Sequence, residues 1–191
     1  MLFVVIMLTV AVRVAIAVGQ LPLTNFMPLT AIAFSSSACL DRGRDWLVPV
    51  FMLFASDVIL NMHYGEAAIG SWTVIAMLCL AMFALAGRWV TGRRSVLLTA
   101  CGSVTCTLVF YVVSNTVSYA VNADYPPGFV GWVQALTVGL PGYPPTWMFL
   151  RNSLIGDLSY TLVLVSVLSW QRTRAGLPAV PLWPVRVLEP A

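Results

Sequence analysis

Long apolar segments almost free of charge constrain this chain more than any other feature. Six such segments span residues 2–19, 25–40, 46–64, 67–89, 96–119 and 149–170. A helix needs about 20 apolar residues to cross a bilayer. The segments are continuous rather than alternating, which argues against a transmembrane barrel. The sequence therefore predicts an all-α integral membrane protein, a bundle of six transmembrane helices.

The composition leaves no material for a separate soluble domain. Of 191 residues, 60% are hydrophobic and 9% are charged, whereas soluble domains carry about 25% charged residues. We predict one transmembrane bundle over residues 1–170 and a Pro-rich cytoplasmic tail over 171–191. The second segment, with Pro28 in its first turn, is short for about 30 Å of hydrocarbon, and a tilted or partly re-entrant helix is an alternative there.

The loops indicate an orientation. Residues 121–147 are rich in proline and glycine, which predicts an external loop with one short helix near 129–138. Six spans place both termini on the same side as eight arginines, and only Arg151 lies on the other side. Basic residues accumulate on the cytoplasmic side of membrane proteins. We therefore expect a multi-pass protein of the bacterial inner membrane with both termini in the cytoplasm.

Several classes of function lack the residues they need. Without lysine the chain cannot form a phosphate-binding loop of an ATPase. The arginines stand at segment ends rather than in one patch, so we expect no nucleic-acid partner. His63 is the only histidine, and no serine–histidine–aspartate motif surrounds it. Cys39, Cys79, Cys101 and Cys106 lack zinc-type spacing. We expect neither an enzyme nor a metal or other cofactor.

Three charged residues stand inside the apolar segments, where each costs about 2.5–3.5 kcal/mol at mid-bilayer. Arg13, Asp57 and Asp157 lie about 17–18 Å from the cytoplasmic ends of their segments at 1.5 Å per helical residue. They therefore share one level. Either Arg13 neutralises an aspartate in a structural ion pair, or the three line a pocket open to the outer side. Two aspartates leave a second charge, which Arg151, a proton or a cation would compensate.

Polar side chains recur on one face of three predicted helices. A spacing of three or four residues places side chains on the same helix face. It groups Asp57 with Asn61 in the third segment, Thr107 with Tyr111 and Asn115 in the fifth, and Asp157 with Tyr160 in the sixth. Such stripes are costly against lipid, so they should face one another, Arg13 or a water-filled cavity.

A stripe of small residues follows the first segment. Ala11, Ala15 and Gly19 recur every four positions, a spacing that lets another helix approach closely. The stripe lies opposite Arg13 on the helix, so it is available for a partner subunit. An ordinary contact within the chain is the alternative.

Several short motifs carry a resemblance. They are Asn25-Phe26-x-Pro28 with Ala31 and Ala33, Leu47-Val48-Pro49, Ser56-Asp57, Ser114-Asn115, Tyr125-Pro126 and Arg151-Asn152-Ser153-Leu154-Ile155-Gly156-Asp157-Leu158-x-Tyr160. This set is similar to an uncharacterised family of small bacterial membrane proteins labelled as transport proteins. That family resembles the S components of energy-coupling-factor vitamin transporters.

The resemblance implies a six-helix, S-component-like bundle that binds a small molecule from the outer side and docks on a T component driven by two ATPases. The small-residue stripe would contact the T component. No vitamin-specific motif is visible, so the substrate stays open.

Our first hypothesis is therefore a substrate-binding membrane subunit of a small-molecule, vitamin-like uptake transporter. Arg13 serves as counter-ion, and the expected substrate-binding residues are Asp57, Asn61, Asn115, Arg151, Asn152, Asp157 and Tyr160. The alternative is a non-catalytic accessory subunit of a larger respiratory or photosynthetic membrane complex. A stand-alone ion-coupled carrier is disfavoured, because the sequence shows no internal repeat.

Overall fold

Helices account for the regular structure of the residues that the structure describes. The computed structural model describes residues 2–19, 28–40, 47–93 and 95–184, and these contain no β-strand. Their helices are α1 (Leu2–Ala17), α2 (Leu29–Cys39), α3 (Leu47–His63), α4 (Ser71–Val90), α5 (Val96–Val121), α6 (Phe129–Leu136) and α7 (Thr146–Arg174). A short 3-10 turn, Thr91–Arg93, follows α4. The all-α prediction is thus confirmed for the described residues.

Among the described residues, three helices are long and apolar enough to cross a membrane. They cover Trp72–Arg93, Val96–Val121 and Thr146–Arg174. α1 and α3 are apolar but have only 16 and 17 residues, somewhat short of the roughly 20 that a perpendicular span requires. The six-span arrangement therefore stays a prediction.

α2 forms the centre of the bundle. Every residue from Thr30 to Cys39 is buried, and α2 packs against α1, α3, α4, α5 and α7. Its 11 residues reach about 16 Å, well short of a bilayer. The predicted crossing over 25–40 is therefore longer than this helix, and residues 25–27 lie outside the described residues. Because protein surrounds α2, neighbouring side chains can satisfy its ends.

Glycines let α2 approach two neighbours closely. A Cβ at Gly87 of α4 would lie 2.1 Å from the carbonyl oxygen of Phe34, and a Cβ at Gly102 of α5 would lie 2.2 Å from the Phe34 ring. Small residues are the usual means of close helix contact where apolar burial does not drive association. Gly87 and Gly102 therefore fix how deeply α2 can sit.

The outward faces of the bundle are apolar. Met7 of α1, Phe51 of α3 and Leu78 of α4 are all more than 60% exposed. Large side chains of this kind on several neighbouring helices are typical of a surface that lipid covers.

The residues after α7 fold back on the start of α5. The backbone N–H groups of Val96 and Leu97 donate to the carbonyl oxygens of Pro181 (3.0 Å) and Leu182 (3.1 Å), and Ser95 caps the next free N–H of the helix. First-turn N–H groups have no partner within their own helix. The predicted tail boundary at residue 171 falls inside α7, which ends at Arg174. The described part of the tail after α7 is hydrogen-bonded to the start of α5. Residues 185–191 lie outside the described residues.

The Pro/Gly-rich loop between α5 and α7 carries α6, close to the predicted short helix. The Tyr119 hydroxyl both donates to Gly128 O and accepts from Gly128 N. Trp132 donates through its indole N–H to Thr116 (2.9 Å), and the Tyr111 hydroxyl donates to Leu136 O (2.6 Å). These bonds hold α6 against the C-terminal half of α5.

Substituting Gly87 tests the central position of α2. We expect Gly87→Ala to lower stability by about 1–3 kcal/mol, the usual cost of overpacking, because the new methyl group collides with backbone that cannot yield easily. Gly92→Ala is the matched control, since a Cβ there meets nothing within 4 Å. Thermal unfolding in detergent measures both. Equal melting temperatures for the two variants would contradict the tight α2–α4 contact.

Candidate functional site

A cavity of about 360 Å³ lies between α2, α4, α5 and α7. Its volume falls at the lower end of the range for small-molecule pockets. Aromatic rings, hydroxyl groups, one amide and one carboxylate line it. The lining residues are Leu29, Thr30, Trp72, Thr107, Phe110, Tyr111, Ser114, Asn115, Phe149, Ser153 and Asp157. We call this the central cavity.

Asp157 closes the central cavity on the α7 side and binds the start of α2. Its Oδ1 accepts from the backbone N–H of Ala31 (2.9 Å), and its Oδ2 accepts from the hydroxyls of Thr30 (2.7 Å) and Thr107 (2.6 Å). Pro28, which precedes α2, makes no side-chain cap. Asp157 therefore supplies from another helix the carboxylate that N-terminal residues usually provide, at the positive end of the α2 dipole.

The two threonine hydroxyls mediate between Asp157 and the cavity. Each hydroxyl has one hydrogen to donate, and the oxygen–oxygen distances to Asp157 are the shortest that either hydroxyl makes. With those hydrogens directed at the carboxylate, the oxygens of Thr30 and Thr107 offer lone pairs elsewhere. The charge of Asp157, only 1% exposed, thus reaches the cavity mainly through two polarised hydroxyls.

Two further side-chain hydrogen bonds join α2 to α7 outside the central cavity. Ser35 and Thr161 share a hydrogen bond of 2.8 Å, and Ser36 and Tyr160 share one of 2.5 Å. These pairs are fully internal, and Tyr160 does not line the central cavity. Tyr160 therefore fastens the two helices together rather than reaching a ligand.

A second cavity of about 170 Å³ contains the ion pair between α1 and α3. Arg13, 6% exposed, contacts Asp57 Oδ1 at 3.1 Å and also donates to Ser56. Its Nε has no hydrogen-bond partner among the described residues. Leu29, Trp72 and Phe110 line this cavity as well as the central one. Three apolar side chains thus separate the ion pair from Asp157.

A third cavity, of about 280 Å³, lies under the loop that contains α6. It shares Asn115 and Phe149 with the central cavity. Asp124 contributes its only carboxylate, and the other lining residues come from the ends of α5 and α7 and from the loop between them. We call it the outer cavity. Asn115 and Phe149 therefore lie where the outer and central cavities adjoin.

The structure divides the predicted site residues between three places. Asn115 and Asp157 line the central cavity, and Arg13 and Asp57 line the one beside it. The remaining four lie elsewhere: Asn61, Arg151, Asn152 and Tyr160.

Asn61 and Arg151 have other local partners. Asn61 donates to Thr73 (3.0 Å) and Ala68 O (3.2 Å) at the α3–α4 turn. Arg151 is exposed, lies over the Trp147 ring and donates to Asn152. Arg151 therefore does not neutralise Asp157, whose partners are the N-terminus of α2 and two hydroxyls.

The apolar half of the central cavity was not predicted from the sequence. Trp72, Phe110 and Phe149 form walls, yet an aromatic residue in an apolar helix gives no sign of facing a cavity rather than lipid. Thr30 was missed although it touches Asp157. Its hydroxyl in the first turn of a short apolar segment was the available signal.

The described residues contain no cluster of three or more His, Cys, Asp or Glu side chains able to hold a metal.

The small-residue stripe of α1 is the predicted partner contact. Ala11 and Gly19 are exposed and Ala15 is half-buried. The stripe therefore lies largely open on the surface of this chain.

Removing the Asp157 carboxylate tests its role as the cap of α2. We expect Asp157→Ala to lower stability by about 1–3 kcal/mol, because the buried N–H of Ala31 is left without a partner. Asp124→Ala, at an exposed carboxylate, is the control. Apparent melting temperatures in detergent provide the comparison. If Asp157→Ala melts like the control, the carboxylate does not support the fold.

Comparison with known proteins identifies a family. A family model described as "Family of unknown function (DUF6580)" matches residues 1–180. The chain belongs to this family. No curated protein and no solved structure matches the sequence.

Proposed function

We propose that this member of the DUF6580 family is the substrate-binding membrane subunit of a small-molecule uptake transporter. The central cavity is the observation that carries the proposal. It lies inside a bundle of apolar helices and combines four aromatic walls with hydroxyl, amide and carboxylate groups. Such a mixture of apolar surface and a few convergent polar groups is characteristic of ligand sites.

The proposal includes six spans with both termini in the cytoplasm. Arg88, Arg93, Arg172 and Arg174 lie at the same end of α4 and α7, and Arg151 lies at the other. This distribution follows the positive-inside rule. The α6 loop and the outer cavity then face outward, so a substrate enters beneath that loop and reaches Asp157.

Uptake would need partner proteins. The chain has no lysine and hence no phosphate-binding loop of its own, so in this proposal a separate ATPase supplies the energy. In the arrangement that the S-component resemblance implies, a T component links this subunit to two ATPases. The exposed part of the α1 stripe, at Ala11 and Gly19, offers a surface for close helix contact with that component.

A second candidate is a non-catalytic accessory subunit of a larger membrane complex. The observation that favours it is the internal pairing of both intramembrane aspartates. Asp57 pairs with Arg13, and Asp157 is held by Ala31, Thr30 and Thr107. Polar groups satisfied in this way stabilise a bundle without any ligand. The central cavity has no role in this candidate, which is why we prefer the first.

Native mass spectrometry of the complex extracted from its own membranes distinguishes the two candidates. We expect a bound small molecule, and with mild detergent also a T-type subunit and ATPases. Ser153→Phe should abolish the bound mass by filling the central cavity. Ser166→Phe, on the exposed side of the same helix, should retain it.

A stoichiometric assembly with redox or pigment-binding subunits, without a small ligand in the wild-type protein, would contradict the transport function. It would instead support the accessory role.

A further inference from the structure

The charged side chains that line the outer and central cavities are both carboxylates. Asp124 lines the outer cavity and Asp157 lines the central one, and no basic side chain of the described residues lines either. Residues 20–27, which lead into Leu29, contain no charged residue in their sequence. A passage with low-dielectric walls and one sign of charge concentrates ligands of the opposite sign.

The nearest arginines do not cancel this field. Arg13 lies in the adjoining cavity, but its charge is compensated by Asp57 at 3.1 Å. Arg151 is exposed and directed over Trp147, 5.6 Å from the ring centroid. Asp157 is therefore the uncompensated formal charge at the central cavity, partly offset by the dipole of α2.

The polar groups of the cavity favour a ligand that donates hydrogen bonds. The hydroxyls of Thr30 and Thr107 point their hydrogens at Asp157, which leaves lone pairs for a ligand. Asn115 donates one of its two amide hydrogens to Tyr111 O (2.8 Å), and its side-chain oxygen is available to accept alongside the second N–H. Three acceptors thus surround the cavity near a carboxylate.

The apolar walls favour a flat cation. Trp72, Phe110, Tyr111 and Phe149 surround the cavity, and the faces of aromatic rings attract cations, most strongly where water is excluded. The same rings stack on planar heterocycles. A small anion would meet none of its preferred side-chain partners here, because no arginine or lysine of the described residues lines the cavity. The N–H of Ala31 in the first turn of α2 is already bonded to Asp157.

From these observations we propose that the central cavity takes a small, positively charged nitrogen heterocycle, with its N–H or N-alkyl edge toward Thr30 and Thr107 and its ring against the aromatic walls. This inference rests on the proposed uptake function and names the chemical class of its substrate. Asp157 acts on the ligand through the two threonine hydroxyls, and Asp124 attracts it at the entrance.

Three probes of nearly one shape test the charge preference. These are 1-methylnicotinamide (cation), nicotinamide (neutral) and nicotinate (anion), each titrated calorimetrically into the full-length protein in nanodiscs. We expect the cation to bind about tenfold or more tighter than the other two, the range that a desolvated cation–aromatic contact supports. Thr107→Val should weaken binding of the cation selectively. Thr105→Val, at an exposed threonine of the same helix, is the matched control.

Mass spectrometry of small molecules extracted from the natively purified protein complements the titration. A cationic heterocycle supports the inference, even if the three probes prove too small to bind. Nicotinate binding as tightly as 1-methylnicotinamide overturns it, and so does an extracted ligand that is anionic or aliphatic. Such a ligand would contradict the preference for a cation but not the proposed uptake function. If nothing is extracted and no probe binds, both proposals fail.

Discussion

A carboxylate held against the first turn of a buried helix is the interaction on which the rest of this structure depends. α2 begins inside the bundle, beside the central cavity, and Pro28 gives it no side-chain cap. Asp157 binds the N–H of Ala31 and so fixes α2 to α7. Without that contact the bundle would contain an unsatisfied helix end and an unpaired charge, each costly in an apolar interior. Each group therefore offsets the burial of the other.

The same contact shapes the cavity. Asp157 holds the start of α2, and Gly87 and Gly102 allow the helix to approach α4 and α5 closely. The central cavity is the space beside the first residues of α2, between α4, α5 and α7. The structural and functional interpretations of the intramembrane aspartates therefore do not exclude each other. Asp57 is paired with Arg13, whereas Asp157 both joins α7 to the start of α2 and contributes the carboxylate of the central cavity.

Hydropathy was sufficient to predict the helices, because lipid-compatible segments need little else; α4, α5 and α7 begin and end within a few residues of their predicted limits. The common depth of Arg13, Asp57 and Asp157 indicated an ion pair, and Arg13 does pair with Asp57. The partner of Asp157 could not be predicted, because it is a backbone N–H 126 positions away. Periodicity also cannot fix how a helix is rotated when all its sides are apolar, which is why Tyr160 was expected at the site but bonds Ser36 instead.

The most direct test of an outward-facing cavity is cysteine labelling in intact cells. Cys39, Cys79, Cys101 and Cys106 are first replaced by alanine, and Ser153→Cys in the cavity is compared with Thr173→Cys, about 30 Å further along α7. The reagent is a membrane-impermeant, cationic methanethiosulfonate. We predict that the cysteine at position 153 reacts in intact cells, while that at 173 reacts only after permeabilisation. Labelling at position 173 but not at 153 in intact cells would contradict it.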